Sequence, residues 1–170
     1  LMLLLNTEIS KKRYSQSLIF ALLAIFGLCG KTAHAQDMTE INPLSFGEFA
    51  LKNNNLQHQI IVNAATGFVT SDPAFVLSTP APQRGEYFLD NLPAATTINV
   101  SIAPGSLTLG GGAPPVGFTT GDYTVYPSPV ITDGAGQATI WVGATLRSTG
   151  DMVIVDSGTY EADLDITFDW

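Results

Sequence analysis

Tyr160-Glu161-Ala162-Asp163-Leu164-Asp165-Ile166-Thr167-Phe168-Asp169-Trp170 alternates apolar and polar residues with a single break in charge at Thr167. Successive side chains of a β-strand point to opposite faces, so this period of two predicts a strand with one dry face and one acidic face. A helix would scatter both sets around its axis. Leu164, Ile166, Phe168 and Trp170 are predicted to bury against a sandwich. A strand of this kind is also something a partner chain can grip, which makes the same four residues the candidate assembly strand.

Working back from this stretch, Ala138, Ile140, Val142, Ala144 and Leu146 alternate with Thr139, Trp141, Gly143 and Thr145, and Ile98, Val100 and Ile102 alternate with Thr97, Asn99 and Ser101. Both are predicted strands. Pro104-Gly105 is expected to end the second of them, with a short strand over 107–109 beyond it. Pro127 and Pro129 weaken a strand over 123–130 and place it on an edge, because proline cannot donate to a ladder. Asp133-Gly134-Ala135-Gly136 reads as a hairpin-type turn. Further strands are expected over 56–64, 74–79, 86–92 and 152–155, with Leu44, Phe46 and Phe49 facing inward on a first strand broken at Gly47. About eight or nine short strands, with turn signals between them and no convincing helix, predict an all-β antiparallel sandwich.

The N-terminal stretch reads as an address. Lys11, Lys12 and Arg13 precede an apolar run over 18–28, and Ala33-His34-Ala35 supplies the small residues a signal peptidase reads. The division is therefore a signal peptide over 1–35 and a single domain over 36–170, exported to the periplasm and then to the cell surface or medium. The run is too short to span a bilayer core of about 30 Å, so no membrane insertion is expected. Leu28 is too bulky for a lipoprotein signal at Cys29. Leu1 in place of Met reads as an unusual or misplaced start codon.

Removing the leader leaves Lys52, Arg84 and Arg147 against fourteen acidic residues, a net charge of −11. That balance excludes nucleic acid and anionic lipid as partners. It also removes the only cysteine, so an exported domain must hold together by packing or by its neighbours in an assembly.

Few residues can carry chemistry. His58 is the only histidine after the leader, and no nucleophile motif accompanies it. Asp156-Ser157-Gly158-Thr159 matches half of an aspartic-protease dyad and reads as a tight turn. Gly110-Gly111-Gly112 lacks the lysine and hydroxyl of a phosphate loop. Glu161, Asp163, Asp165 and Asp169 share one strand face and would suit a hard cation such as calcium, but lack the looped geometry that gathers six or more oxygens. The other reading is a solvated face that blocks edge-to-edge aggregation. Trp141 opposes the apolar face of its strand, so it is either covered by a loop or exposed as a platform for a sugar or a partner. No catalytic residue and no cofactor is assigned, and the chain is read as a non-enzyme.

Three stretches resemble a known family. Leu44-Ser45-Phe46-Gly47, the run from Gly136 to Leu146 with the pattern G-x-A-x-x-x-V-G-x-x-L, and Gly158-Thr159-Tyr160 opening the final strand are similar to the secreted bacterial domain-of-unknown-function family four-four-zero-two. The resemblance spans nearly all of the chain after the leader. It implies an immunoglobulin-like, pilin-like sandwich related to chaperone–usher fibre subunits, with a periplasmic chaperone, an usher and sibling subunits as partners, and no catalytic residues. The N-terminal arm, residues 36–43, departs from that pattern. It offers only Met38 and Ile41 where a polymerising subunit has alternating apolar residues. The expected function is an exported structural or adhesive surface subunit of a pilus-like fibre; the alternative is a self-complete module that binds a glycan or a cation.

Overall fold

The computed structural model describes residues 36–109, 117–152 and 158–170. The leader, the glycine run at 110–112, Asp156 and Ser157, and the strand expected beyond Met152 lie outside the described residues. Eleven strands follow one another: β1 (Asp37–Asn42), β2 (Ser45–Leu51), β3 (Gln59–Val62), β4 (Val69–Ser71), β5 (Phe75–Leu77), β6 (Gly85–Asp90), β7 (Thr97–Leu109), β8 (Phe118–Tyr126), β9 (Val130–Ile131), β10 (Ala138–Ser148) and β11 (Gly158–Asp169). No helix occurs among the described residues.

The strands form an antiparallel β-sandwich. One sheet runs β1-β6-β10-β3-β4, with β8 along the other edge of β10, and the second runs β5-β2-β11-β7-β9. The alternation of β10 decides its faces as predicted: Ile140, Val142, Ala144 and Leu146 are buried in the space between the sheets. They share one core with Leu44, Phe46 and Phe49 around β2, Ile98 of β7 and Tyr160 of β11. Each large apolar side chain buried there stabilises the fold by roughly 1.5–3 kcal/mol. At one end Phe49 stacks on Tyr160 at 4.8 Å and meets Phe75 and Phe118 edge-on at 5.2 and 5.3 Å. Phe118 comes from the opposite sheet, so the cluster ties the two layers together.

Several expectations need correction. Pro104-Gly105 does not end a strand. Pro104 stands opposite Leu164, and since it has no N–H, the two cannot form the doubly hydrogen-bonded pair of an antiparallel ladder; at the other kind of pair a proline leaves no bond unmade. The strand therefore runs through, absorbing one extra residue of β7 as an irregularity opposite the step from Ala162 to Leu164. The turn at Asp133 is not a hairpin, because β9 pairs with β7 in one sheet and β10 lies in the other. Asp133 builds it by accepting the N–H groups of Ala135 and Gln137 on one carboxylate oxygen at 2.8 and 2.9 Å. Gly136 there has φ +80°, and a Cβ would sit 2.0 Å from the Leu92 carbonyl oxygen. The strand expected over 123–130 begins at Phe118 and ends at Tyr126, and it is an edge strand as the prolines require. Leu56, placed in a strand by its sequence, is 65% exposed in the loop before β3.

Two differences concern the ends of the domain. The N-terminal arm, for which no strand is predicted from its two scattered apolar residues, forms β1 on the edge of β6, with Met38 opposite Leu89 and Glu40 opposite Tyr87. At the other end, Leu164, Ile166 and Phe168 are only half-buried and Trp170 is 52% exposed. Their full burial, predicted from alternation, fails for a local reason. The ladder with β7 stops at Asp169 opposite Asn99, so Trp170 has no cross-strand neighbour. Among the described residues, the half-buried three have no strand on one side.

Candidate functional site

That missing strand defines the most unusual feature of the sandwich. β2 pairs with β11 only from Gly158 to Glu161, ending at Ser45 opposite Glu161. Just before Ser45 in the chain stands Pro43, and before that the chain lies in the other sheet, where β1 takes the edge of β6. From Leu164 to Asp169, β11 is paired with β7 on one side, and among the described residues no strand lies on the other.

The register fixes which groups face that open edge. With Leu164 and Pro104 a non-hydrogen-bonded pair, the bonds to β7 fall to Asp165, Thr167 and Asp169. The N–H and C=O groups of Leu164, Ile166 and Phe168 therefore turn outward along the edge. Those three residues also carry the half-buried apolar side chains. Backbone donors and acceptors and an incompletely covered apolar row coincide, which is the geometry that accepts an added strand. Asp165 and Asp169 project from the other face of β11 and are exposed. The domain's own cations are engaged elsewhere: Arg84 donates to the carbonyls of Ala64 and Ala65 at 2.8 and 2.9 Å, Lys52 to that of Pro73 at 3.1 Å, and Arg147 pairs with Asp122.

β1 is held by more than its ladder. Tyr87 projects into the interior and its hydroxyl donates to the Glu40 carboxylate while accepting the N–H of Leu44; burial first, and then the Glu40 charge, push its pKa up to about 12. At the strand's ends Asn42 donates to Glu86 at 3.0 Å and Asn91 donates to Asp37 at 2.6 Å.

Trp141 lies on the outer face of the first sheet, between Glu86 of β6 and Tyr126 of β8. It is half-buried. The Arg84 guanidinium, carried by the loop before β6, sits 4.8 Å from the ring centroid, and the Tyr126 ring lies 6.0 Å away, tilted by 35°. Since β6 and β8 flank β10 on opposite edges, the indole has a neighbour on each side rather than a bare face.

No family model matches the chain, and neither a curated protein nor a solved structure does.

The remaining sequence candidates are not brought together. His58 Nδ1 lies 3.7 Å from Asp72 and its Nε2 is 3.2 Å from Asn53, while the nearby Ser148 hydroxyl accepts the His58 backbone N–H and does not meet the ring. These contacts clamp loops. No cluster of three metal-ligating side chains occurs among the described residues; Asp165 and Asp169 are on the same exposed face, and the side chains of Glu161 and Asp163 lie outside the description. A half-open cavity of about 240 Å³ between β7 and β8, floored by Ile98, Val100, Val125 and Val130, has no ionisable group in its lining. What sequence reading missed is the Glu40–Tyr87 contact and the open edge. The only signal for the edge was Pro43, which forbids continuation of an interior strand.

Proposed function

We propose that the domain over residues 36–170 is an exported structural subunit of a pilus-like surface assembly, joined to another chain by strand addition along β11. The observation that carries this reading is the coincidence of outward-facing backbone groups with half-buried apolar side chains at Leu164, Ile166 and Phe168. An added strand would pair with the first and cover the second. An immunoglobulin-like, pilin-like topology, a periplasmic chaperone of that type and an usher belong to the same proposal, as does passage through the periplasm on a cleaved leader. A catalytic role has no arrangement of acid, base and nucleophile to support it among the described residues. The alternative of a self-complete glycan-binding module has less support, because Arg84 and Tyr126 flank the indole that would stack on a sugar.

The test compares the full chain with Phe168→Asp and with Glu48→Gln, a change at an exposed position of β2, when each is expressed with its own leader. Phe168→Asp should be lost from high-molecular-weight surface material, and Glu48→Gln should be retained in it. A Phe168→Asp chain that assembles at the wild-type level would overturn the proposal.

A further inference from the structure

We infer that the half-open cavity between β7 and β8 is a binding site for a small neutral amide, a lactam or a carboxamide on a short apolar body, and that Val100 recognises the amide group through its main chain. The cavity lies on the side of β7 away from β11, so this site is independent of strand addition there.

The cavity forms where a ladder stops. β9 pairs with β7 at Ile131 opposite Thr97 and at Val130 opposite Ile98, and no further. Continued by two residues, the ladder would join Val100 to Ser128. Pro127 and Pro129 stand on either side of Ser128, and neither can donate to a ladder, so the chain leaves the sheet there. Two registers agree on where the main-chain groups of Val100 point. Thr96 accepts the N–H of Thr132 at 3.0 Å, so the even-numbered residues at this end of β7 turn toward β9. Along the other edge the bonds to β11 fall to Asn99, Ser101 and Ala103, opposite Asp169, Thr167 and Asp165, which again leaves Val100 facing the β9 side. Its N–H and C=O therefore open into the gap, and among the described residues no ladder or loop bond takes them up.

The surroundings of that peptide group select the ligand. Ile98 and Val130 are buried at the floor, Val125 is half-buried beside them, and no ionisable side chain lines the cavity. A charged ligand would give up its water without a counter-ion in the lining. A hydrocarbon would expel water from the N–H and C=O of Val100 and leave both unpaired, a loss of the size of a missing hydrogen bond for each. A neutral amide carries a donor and an acceptor side by side, the complement of the N–H and C=O of one extended residue, and so satisfies both. The volume of about 240 Å³ is below the roughly 300–1,000 Å³ of sites for drug-sized molecules. It suits a single ring or a short branched chain packed on Ile98, Val125 and Val130.

The experiment is an NMR titration of the isotope-labelled full chain with three probes: δ-valerolactam, its N-methyl derivative, which lacks the donor, and cyclohexanecarboxylate, which carries a charge. The lactam should shift the amides of Val100 and Ser128 saturably, with a Kd of roughly 1 mM, a reasonable value for so small a ligand. The other two probes should bind at least about tenfold more weakly, the donor being lost in one and the charge left without a partner in the other. Val125→Leu, which adds one methylene beside the floor, should weaken the lactam roughly tenfold while thermal melting shows the protein still folded. The comparison of probes needs only the wild-type protein, so it stands whatever the variant does. Equal binding of all three probes would overturn recognition of the amide. Lactam shifts confined to amides away from Val100 and Ser128 would overturn the site. If no probe gives saturable shifts in the tens of millimolar, water alone fills the cavity and the inference falls.

Discussion

Glu40 accepts a hydrogen bond from the hydroxyl of Tyr87, fastening an exposed edge strand to a residue of the interior. The contact has a pH signature. Tyr87 keeps its proton more tightly folded than unfolded, with a pKa pushed up to about 12 from the ordinary value of 10.0. Stability from this proton is fully present below pH 10 and is lost as pH rises from there through about 12. Chemical denaturation should show wild type losing stability across that window faster than Tyr87→Phe. Parallel loss in the two proteins would refute the assignment.

Asp133 gives the opposite slope. Backbone N–H groups, that of Gln137 foremost and then Ala135, hold its carboxyl below the usual carboxylate range. A depressed pKa contributes stability above the unfolded value that disappears as pH falls through the folded one. The Asp133→Asn variant should therefore lose less stability than wild type on acidification below about pH 4, as read from denaturation midpoints at successive pH values.

Trp141→Ala should cost about 1–2 kcal/mol, between the near-zero value of an exposed platform and the 3–5 kcal/mol of a fully buried tryptophan. The ring is half-buried and shares its contact with Arg84. A double-mutant cycle of Trp141→Ala with Arg84→Ala should return a coupling of about 0.5–1 kcal/mol, the usual size of a partly exposed cation–π contact. A coupling indistinguishable from zero would mean that the guanidinium does not rest on the indole in solution.

Gly143→Ala should destabilise by about 2–4 kcal/mol, because the new methyl would lie 2.3 Å from the Val62 carbonyl oxygen and 2.5 Å from the Ala64 nitrogen. Gly134→Ala is the control: nothing lies within 4 Å of its added carbon. Thermal melting of the two variants decides whether β10 and the chain after β3 approach as closely as described.

Along β11, Phe168→Asp should cost about 1–3 kcal/mol and leave a folded protein, since the ring is only half-buried. Asp165→Ser on the exposed face should stay within about 0.5 kcal/mol of wild type. Complete unfolding of Phe168→Asp would mean that the edge is covered in solution.

Alternation made the faces of β10 and β11 legible, because burial on one side of a sheet leaves a period of two in the residues themselves. Pairing is not written that way. β1 consists entirely of exposed residues and is held by ladder bonds and by Glu40, so its sequence carries no apolar rhythm to read. For the same reason β7 looked like two strands: Pro104 breaks a propensity rule but sits where no N–H is required. The half-burial of Leu164, Ile166 and Phe168 depended on where β2 leaves the sheet, a property of residues more than a hundred positions away. Trp141 was placed correctly on the outer face by its parity, while its neighbour Arg84 came from another strand's approach and left no trace in the local sequence.

The ring cluster of Phe49, Phe75, Phe118 and Tyr160 joins the beginning of the domain to its end. None of its closest stacked pair, Phe49 and Tyr160, can form until nearly the whole chain is available and a very long loop has closed, which slows folding of such topologies relative to locally connected ones. A chain of this design therefore spends an extended interval with β11 not yet packed. During that interval the apolar row of Leu164, Ile166 and Phe168 has not yet been covered by the facing sheet, so the row is most open to wrong pairing before the two layers meet.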